Sequence, residues 1–247
     1  MRKFSFLSVF VLIFFIYSAT GFANSYKEKP FQLLLSGVAS FTNNKDMNDW
    51  ADATTIYVAY INSISNYSTD TSKAKTATGF DFEFRYFPDN LWDLGFGLQI
   101  GSHTAKAESK LDSPGLRQYT CTYELTVIPI VANLYYRIDF ESSNGFMLLG
   151  GGLGYYFGEM KLEEKGVPNP ASLDGKQSKI GFQLLAEYDY VFDIGFTLFG
   201  GIKYRYVQFD KFDGDFGDFV SVASFTNKKF KAGLSGVALY IGLGYSF

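Results

Sequence analysis

The closing stretch Gly236-Val237-Ala238-Leu239-Tyr240-Ile241-Gly242-Leu243-Gly244-Tyr245-Ser246-Phe247 alternates between two kinds of side chain. Val237, Leu239, Ile241, Leu243, Tyr245 and Phe247 fall on one face, and Gly236, Ala238, Tyr240, Gly242, Gly244 and Ser246 on the other. A period of two is the signature of a strand. Large side chains on one side and mostly glycine and small residues on the other fit a barrel wall, with lipid outside and a crowded interior.

The rest of the chain agrees with a membrane setting. Residues 1–23 have the layout of a cleaved secretory signal, with Arg2 and Lys3 as the basic start, an apolar core from Phe6 to Tyr17, and Gly21-Phe22-Ala23 as the cleavage site. The mature chain is then expected to begin near Asn24. No later run approaches the roughly 18 apolar residues of a membrane-crossing helix, so any later insertion must use strands. The formal charge of −3 becomes more acidic by two once the signal leaves, so no basic surplus points to nucleic acid. Cys121 is the single cysteine, which excludes an internal disulfide framework and a cysteine-rich metal site. Aromatic residues make up 19% of the chain and glycines number 25 against 6 prolines, a balance suited to interfacial girdles around a narrow, tightly filled barrel.

Reading the same period along the mature chain, 24–247, predicts an all-β, eight-stranded antiparallel up-and-down transmembrane barrel. The strands lie near 31–41, 78–87, 91–102, 122–138, 146–157, 180–191, 195–208 and 232–247. The connections alternate. Long ones cover about 42–77, 103–121, 158–179 and 209–231, and short ones 88–90, 139–145 and 192–194. Sorting of this kind places short turns in the periplasm and four long loops outside. The turns carry fitting residues, Pro88-Asp89-Asn90 and Ser142-Ser143-Asn144-Gly145, while Phe192-Asp193-Ile194 is tight but less typical.

Four strands assign their faces clearly. Phe80, Phe82, Phe84 and Tyr86 point to lipid, and Asp81, Glu83 and Arg85 to the lumen. The next strand sends Trp92, Leu94, Phe96, Leu98 and Ile100 outward and Asp93, Gly95, Gly97, Gln99 and Gly101 inward. Phe182, Leu184, Tyr188, Phe196, Leu198, Tyr204 and Tyr206 face out against Gln183, Glu187, Asp189, Lys203 and Arg205. The inward assignment is energetic, because Arg or Lys in mid-membrane hydrocarbon costs about 2–4 kcal/mol. The first strand is ambiguous at Leu33-Leu34. The fourth is apolar on both faces around Val127–Val131 and carries Pro129, so a bulge or a partly apolar lumen is expected there, with Asn133, Tyr135 and Arg137 inward below it.

Three stretches carry a resemblance: Thr126-Val127-Ile128-Pro129-Ile130-Val131-Ala132-Asn133-Leu134-Tyr135-Tyr136, Leu149-Gly150-Gly151-Gly152-Leu153-Gly154-Tyr155-Tyr156, and Gly242-Leu243-Gly244-Tyr245-Ser246-Phe247. With the whole-chain layout, they resemble the eight-stranded outer-membrane barrels related to the OmpA transmembrane domain and to OmpW. The resemblance implies a bacterial outer-membrane location, contact with outer-membrane lipid and lipopolysaccharide, and recognition by the barrel assembly machinery. The stripe Leu239, Ile241, Leu243, Tyr245 and Phe247 resembles the assembly signal of that family. No periplasmic domain is expected after the last strand, so the peptidoglycan-anchoring role of two-domain relatives is not carried over. These motifs speak to architecture and say little about activity.

The one dense polar constellation is Asp81, Glu83, Arg85, Arg137, Glu187, Asp189, Lys203 and Arg205. An eight-stranded interior is just wide enough for side chains to fill, so mixed charges there are expected to form a salt-bridged plug, with a narrow conduction path as the rival. His103, the sole histidine, falls where the third strand meets a long loop, with Ser102 and Thr104 beside it. The His-x-Ser spacing that resembles deacylase barrels is absent because position 105 is alanine, so His103 is expected to be a solvated rim residue and the chain non-enzymatic. The first loop has helical spacing at Met47, Trp50, Ala53, Thr54, Tyr57, Val58 and Ile61, whereas Thr54, Thr55, Ile56 and Val58 pull toward strand, and both readings stand. Asp210, Asp213, Asp215 and Asp218 superficially resemble a calcium loop but lack a closing glutamate, which favours a solvated acidic loop. The expected whole is a monomer without cofactor or metal whose role is structural or loop-mediated. The alternatives are an OmpW-like route for small apolar molecules past Val127, Pro129 and Val131, and a lipid-modifying enzyme.

Overall fold

The structure, a computed structural model, describes residues 29–42, 44–61, 67–88, 93–113, 119–140, 144–167, 170–222 and 230–247. The expected signal segment lies outside these residues, as do Asp89, Asn90, Trp92, Ser142 and Ser143. Eight long strands form a closed ring: β1 (Phe31–Thr42), β3 (Thr76–Tyr86), β4 (Leu94–Asp112), β5 (Tyr119–Asp139), β6 (Gly145–Lys165), β7 (Ser172–Val191), β8 (Phe196–Tyr206) and β11 (Gly236–Ser246). Each pairs antiparallel with its neighbour, and β11 closes on β1 with Leu35 opposite Leu243. Closure removes the open edges that a membrane does not tolerate.

The expected alternation holds on every stave. In β1 the inward set is Gln32, Leu34, Ser36, Val38, Ser40 and Thr42, so the Leu33-Leu34 pair needs no bulge. Val127, Pro129 and Val131 of β5 all turn inward while Ile128 and Ile130 face out, which makes the lumen partly apolar. The β4–β5 ladder skips Gly101 and Ser102, the positions beside Pro129, which has no N–H to give. One inward assignment is corrected: Asp93 is an exposed turn residue with φ +63°, ahead of the strand.

The strand lengths depart from expectation in one direction. β3 and β8 have 11 residues each, which at ~3.3 Å per residue and a tilt near 40° spans about 28 Å, a membrane thickness. β4, β5, β6 and β7 have 19 to 21, so half of the wall rises well beyond the membrane. The regions 103–121 and 158–179, expected as loops, are therefore mostly hairpin. In the first long loop the helical reading holds: α1 (Lys45–Ile61) includes Thr54, Thr55, Ile56 and Val58, residues that favour strand, and a separate short strand β2 (Ser68–Ser72) continues the wall by pairing with the upper part of β4. The fourth contains β9 (Gln208–Phe209), helix α2 (Asp215–Val222) and β10 (Ala232–Gly233), which pairs with β9.

Candidate functional site: the filled lumen and its cap

Seven of the eight expected charges meet inside the barrel in two clusters. In the lower one, Arg85 on β3 donates from Nη2 to Glu83 Oε2 at 2.9 Å and to Glu187 Oε2 at 3.0 Å. Its Nη1 reaches Glu187 Oε1 and lies 3.5 Å from Asp189 Oδ2. The guanidinium also sits over the Tyr135 ring, 4.6 Å from its centre, and Tyr135 and Asn133 both donate to Glu83 Oε1. Gly97 is opposite, where any Cβ would collide with Glu83 and Tyr135, so the small inner face of β4 is what admits these bulky groups.

The upper cluster inverts the charge ratio. Asp81 Oδ2 accepts from Lys203 Nζ at 3.0 Å and from Arg205 Nη2 at 2.6 Å. Between the clusters lies a neutral amide layer: Gln183 Nε2 donates to Gln99 Oε1 at 2.9 Å and to Asn133 Oδ1 at 2.8 Å, and its Oε1 accepts from Arg205 Nε at 3.1 Å. One carboxylate thus faces two cations above, and three carboxylates face one cation below.

Two expectations are corrected here. Arg137 is not in either cluster; near the turn end of the barrel, it donates from Nε to Asp139 Oδ1 at 2.7 Å and covers the Phe146 ring at 4.1 Å. That end is sealed by Phe87, Phe146, Leu148, Leu185 and Val191. His103 is not a solvated rim residue. Because β4 continues past 102, position 103 keeps the inward parity of Gln99 and Gly101, and the imidazole is fully buried with Nε2 2.8 Å from Asp81 Oδ1. Carrying the alternation one residue past the expected strand end at 102 is the signal that finds it.

Above the charges, the tall half-wall forms a trough that the first and fourth connections fill. Inward residues of β4 are small at Ala105, Ala107 and Ser109, and α1 packs there with Met47, Trp50, Ala51, Val58 and Ala59 buried. From the other side come Phe209, Phe212, Phe216 and Phe230, which pack with Trp50 and with Tyr123 of β5. Thr54 and the Tyr123 hydroxyl are hydrogen-bonded at 2.8 Å, and Asn44 Oδ1 accepts from Gly233 N at 2.9 Å, joining the two connections. The cap is therefore a second hydrophobic core, continuous with Val127 and Val131 in the lumen.

Ionisable groups of the cap have structural partners. Burial, reinforced by the Glu164 charge, pushes the Cys121 thiol up to about 12, and burial likewise raises the Tyr119 phenol, which donates to Glu164 at 2.8 Å. Asp210 is held below the usual carboxylate range by the Lys179 ammonium at 2.8 Å, and Asp213 exchanges two backbone hydrogen bonds with Lys176. Among the described residues no group of three or more His, Cys, Asp or Glu side chains is placed to hold a metal ion.

On the outer wall, Phe80, Phe82, Leu98, Leu184 and Ile241 form an exposed apolar belt, with aromatic rims at Phe41, Tyr155, Phe157 and Tyr206 above and Tyr86, Tyr136, Phe140 and Tyr188 below. A closed ring, a lipid-height belt and loops sorted by end decide the architecture. The chain has the fold of the eight-stranded outer-membrane β-barrels. No family model and no curated protein matches it. Solved structures similar to it include Neisserial surface protein A, at 15% identity over 88% of this chain and 97% of that one with a TM-score of 0.42. The outer membrane protein OprG from Pseudomonas aeruginosa is similar at 14% identity, 91% and 99% coverage and a TM-score of 0.48. A major outer membrane protein from Thermus thermophilus is similar at 12% identity, 88% and 99% coverage and a TM-score of 0.48.

Proposed function

We propose that this chain is an integral, monomeric, non-enzymatic protein of a bacterial outer membrane, exported by a cleaved signal. In this reading the lumen is a structural plug and the working surface is the extracellular cap. The observation that carries it is the filling of the barrel axis at successive levels: the Phe87–Phe146 seal, the Arg85 and Asp81 clusters, and the aromatic cap core. The belt is a surface for lipid and lipopolysaccharide, and the closing stripe at Phe247 is a surface for the assembly machinery. Away from the belt, α1 exposes Ile56 and Tyr60, the latter at 80%, which supports a contact role for the cap. Planar-bilayer recording of the purified protein tests the plug: a baseline without discrete steps is expected, and regular unitary steps overturn it.

A second reading has one specific support. The apolar patch of Val127, Pro129 and Val131 faces inward and joins the cap core, as a route for small apolar molecules requires. Solute uptake that falls when the protein is deleted favours this route over the plug. His103 is walled in on every side, which supports the absence of catalysis; unchanged lipid A acylation in His103→Ala cells is the expected result.

A further inference from the structure

Glu83, Glu187 and Asp189 meet the Arg85 guanidinium in the lower cluster and share its donors unequally. Glu187 takes both terminal nitrogens of Arg85, one on each oxygen. Glu83 takes Arg85 Nη2 at 2.9 Å, and its other oxygen accepts from Tyr135 and from Asn133 Nδ2. Asp189 is left with one long contact, its Oδ2 3.5 Å from Arg85 Nη1, and no donor reaches its Oδ1. Its side chain is nevertheless fully buried.

The surroundings oppose a charge at Asp189. β6 sets Phe146 opposite it and β8 sets Phe199, so both flanking strands present aromatic rings. The charged groups that face it are Glu187 on its own strand and Arg85 and Glu83 from β3. Phenols of Tyr135 from β5 and Tyr240 from β11 line the same layer. Arg137 of β5 covers the Phe146 ring and is engaged by Asp139. A buried carboxylate needs donors on its oxygens, and a second carboxylate beside it disfavours ionisation further. The Glu187 and Asp189 carboxyls are also in mutual hydrogen-bonding contact. Two ionised groups cannot make that contact, because carboxylate oxygens only accept.

We infer that Glu187 and Asp189 form a proton-binding site, in which Asp189 is a neutral carboxylic acid in the folded barrel at neutral pH. The proton comes from water as the barrel closes. One O–H bond forms on the Asp189 carboxyl and donates to the Glu187 carboxylate, which keeps its two bonds from Arg85. Asp189 carries the proton, rather than Glu187 or Glu83, because it has the fewest donors to lose. Charge balance agrees. With every acid ionised, the two clusters set Arg85, Lys203 and Arg205 against Asp81, Glu83, Glu187 and Asp189, one negative charge in excess. His103, buried between Asp81 and the Arg205 cation, stays uncharged and does not offset it. One proton on Asp189 leaves Arg85, Lys203 and Arg205 balanced by Asp81, Glu83 and Glu187. The site requires the burial of Asp189 and not a lumen closed along its whole length, so it stands apart from the plug reading.

Infrared spectroscopy of the full-length barrel in lipid bilayers tests the site. At pH 7 exposed carboxyl groups are ionised, so the carbonyl stretch of a protonated carboxylic acid is expected from the buried group alone. The band is expected to shift when aspartate is 13C-labelled and to vanish in Asp189→Asn, whose amide keeps a donor toward Glu187. Unfolding supplies a second measurement. The unfolded chain releases this proton above about pH 3.9 while the folded barrel keeps it, so the stability from Asp189 is complete below that pH and falls as pH rises. Between pH 5 and 7 the folding constant of the wild type, relative to that of Asp189→Asn, is expected to drop by about tenfold per pH unit. A wild-type spectrum without the band at pH 7, or with a band that aspartate labelling does not move, overturns the assignment whether or not the variant folds. So does a wild-type-to-variant ratio that is flat with pH.

Discussion

Phe31 and Phe247 are joined three ways: Phe31 N donates to Phe247 O at 3.1 Å, Phe247 N donates to Phe31 O at 2.9 Å, and the two rings stack at 5.7 Å. The first and last staves are locked at their common end by this pair. The Phe31 ring also stacks on Tyr86 at 4.9 Å, so the lock reaches a third strand. Deleting Phe247 removes both backbone bonds and one ring contact at the seam, where no neighbouring strand replaces them. The expected outcome is normal export with reduced heat-modifiable, membrane-inserted protein, read by fractionation and unheated gel electrophoresis. Wild-type levels of inserted barrel in the deletion would show that the seam tolerates the loss.

Among the described residues, Arg85 is the cation that pairs directly with Glu83, Glu187 and Asp189. Arg85→Met keeps much of the side-chain volume and leaves three carboxylates together in the barrel interior. Removing one partner of a buried ion pair costs about 3–5 kcal/mol, because the other charge stays buried without compensation. Urea unfolding in lipid vesicles is expected to show a loss of that size for Arg85→Met, and partial recovery when Glu187→Gln is added. A single variant that unfolds with the wild type would mean the cluster is hydrated enough to stand alone.

The sequence carried the belt half of this molecule far better than the capped half, for a physical reason. Within the belt, lipid forces an apolar outer face, so Asp81, Glu83 and Arg85 alternate visibly with Phe80, Phe82 and Phe84. Above the belt both faces meet polar surroundings or a local core, and the alternation fades. Thr120, Thr122, Glu124 and Thr126 sit outside the upper part of β5, while Ala105 and Ala107 sit inside β4. Those strands therefore read as loop, and His103 as a rim residue. The cap is hidden for another reason: its core joins Trp50 to Phe230 and Thr54 to Tyr123, contacts between segments far apart in the chain that no local period reports.

Trp50 is 2% exposed and lies edge-on to Phe230 at 5.7 Å and to Phe219 at 6.1 Å. Trp50→Ala is expected to cost the cap about 3–5 kcal/mol, the usual range for emptying a buried aromatic site. The barrel below has its own ladders and should keep its unfolding midpoint. Hydrogen exchange resolves the two: protection is lost across α1 and around Phe209 and persists in β3 and β8. Loss of protection throughout the barrel would show that cap and wall unfold as one unit.

Cys121 gives the cap a distinct alkaline response. Its thiol is buried in the upper part of β5 and pushed up to about 12, against roughly 8.5 for a free cysteine. The folded cap therefore keeps its proton where the unfolded chain releases it. Stability from this group is complete below about pH 8.5 and falls as pH rises toward 12, by up to ~1.4 kcal/mol per pH unit within that window. Tyr119 and Tyr123 titrate nearby, so the comparison is with Cys121→Ala, which keeps both phenols. Between pH 8.5 and 10.5 the wild-type cap is expected to lose more protection than Cys121→Ala. Iodoacetamide, which needs the thiolate, should label folded protein at pH 8.5 about a thousandfold more slowly than unfolded protein. Equal labelling of the two states would place the thiol in contact with solvent and remove the basis for the alkaline effect.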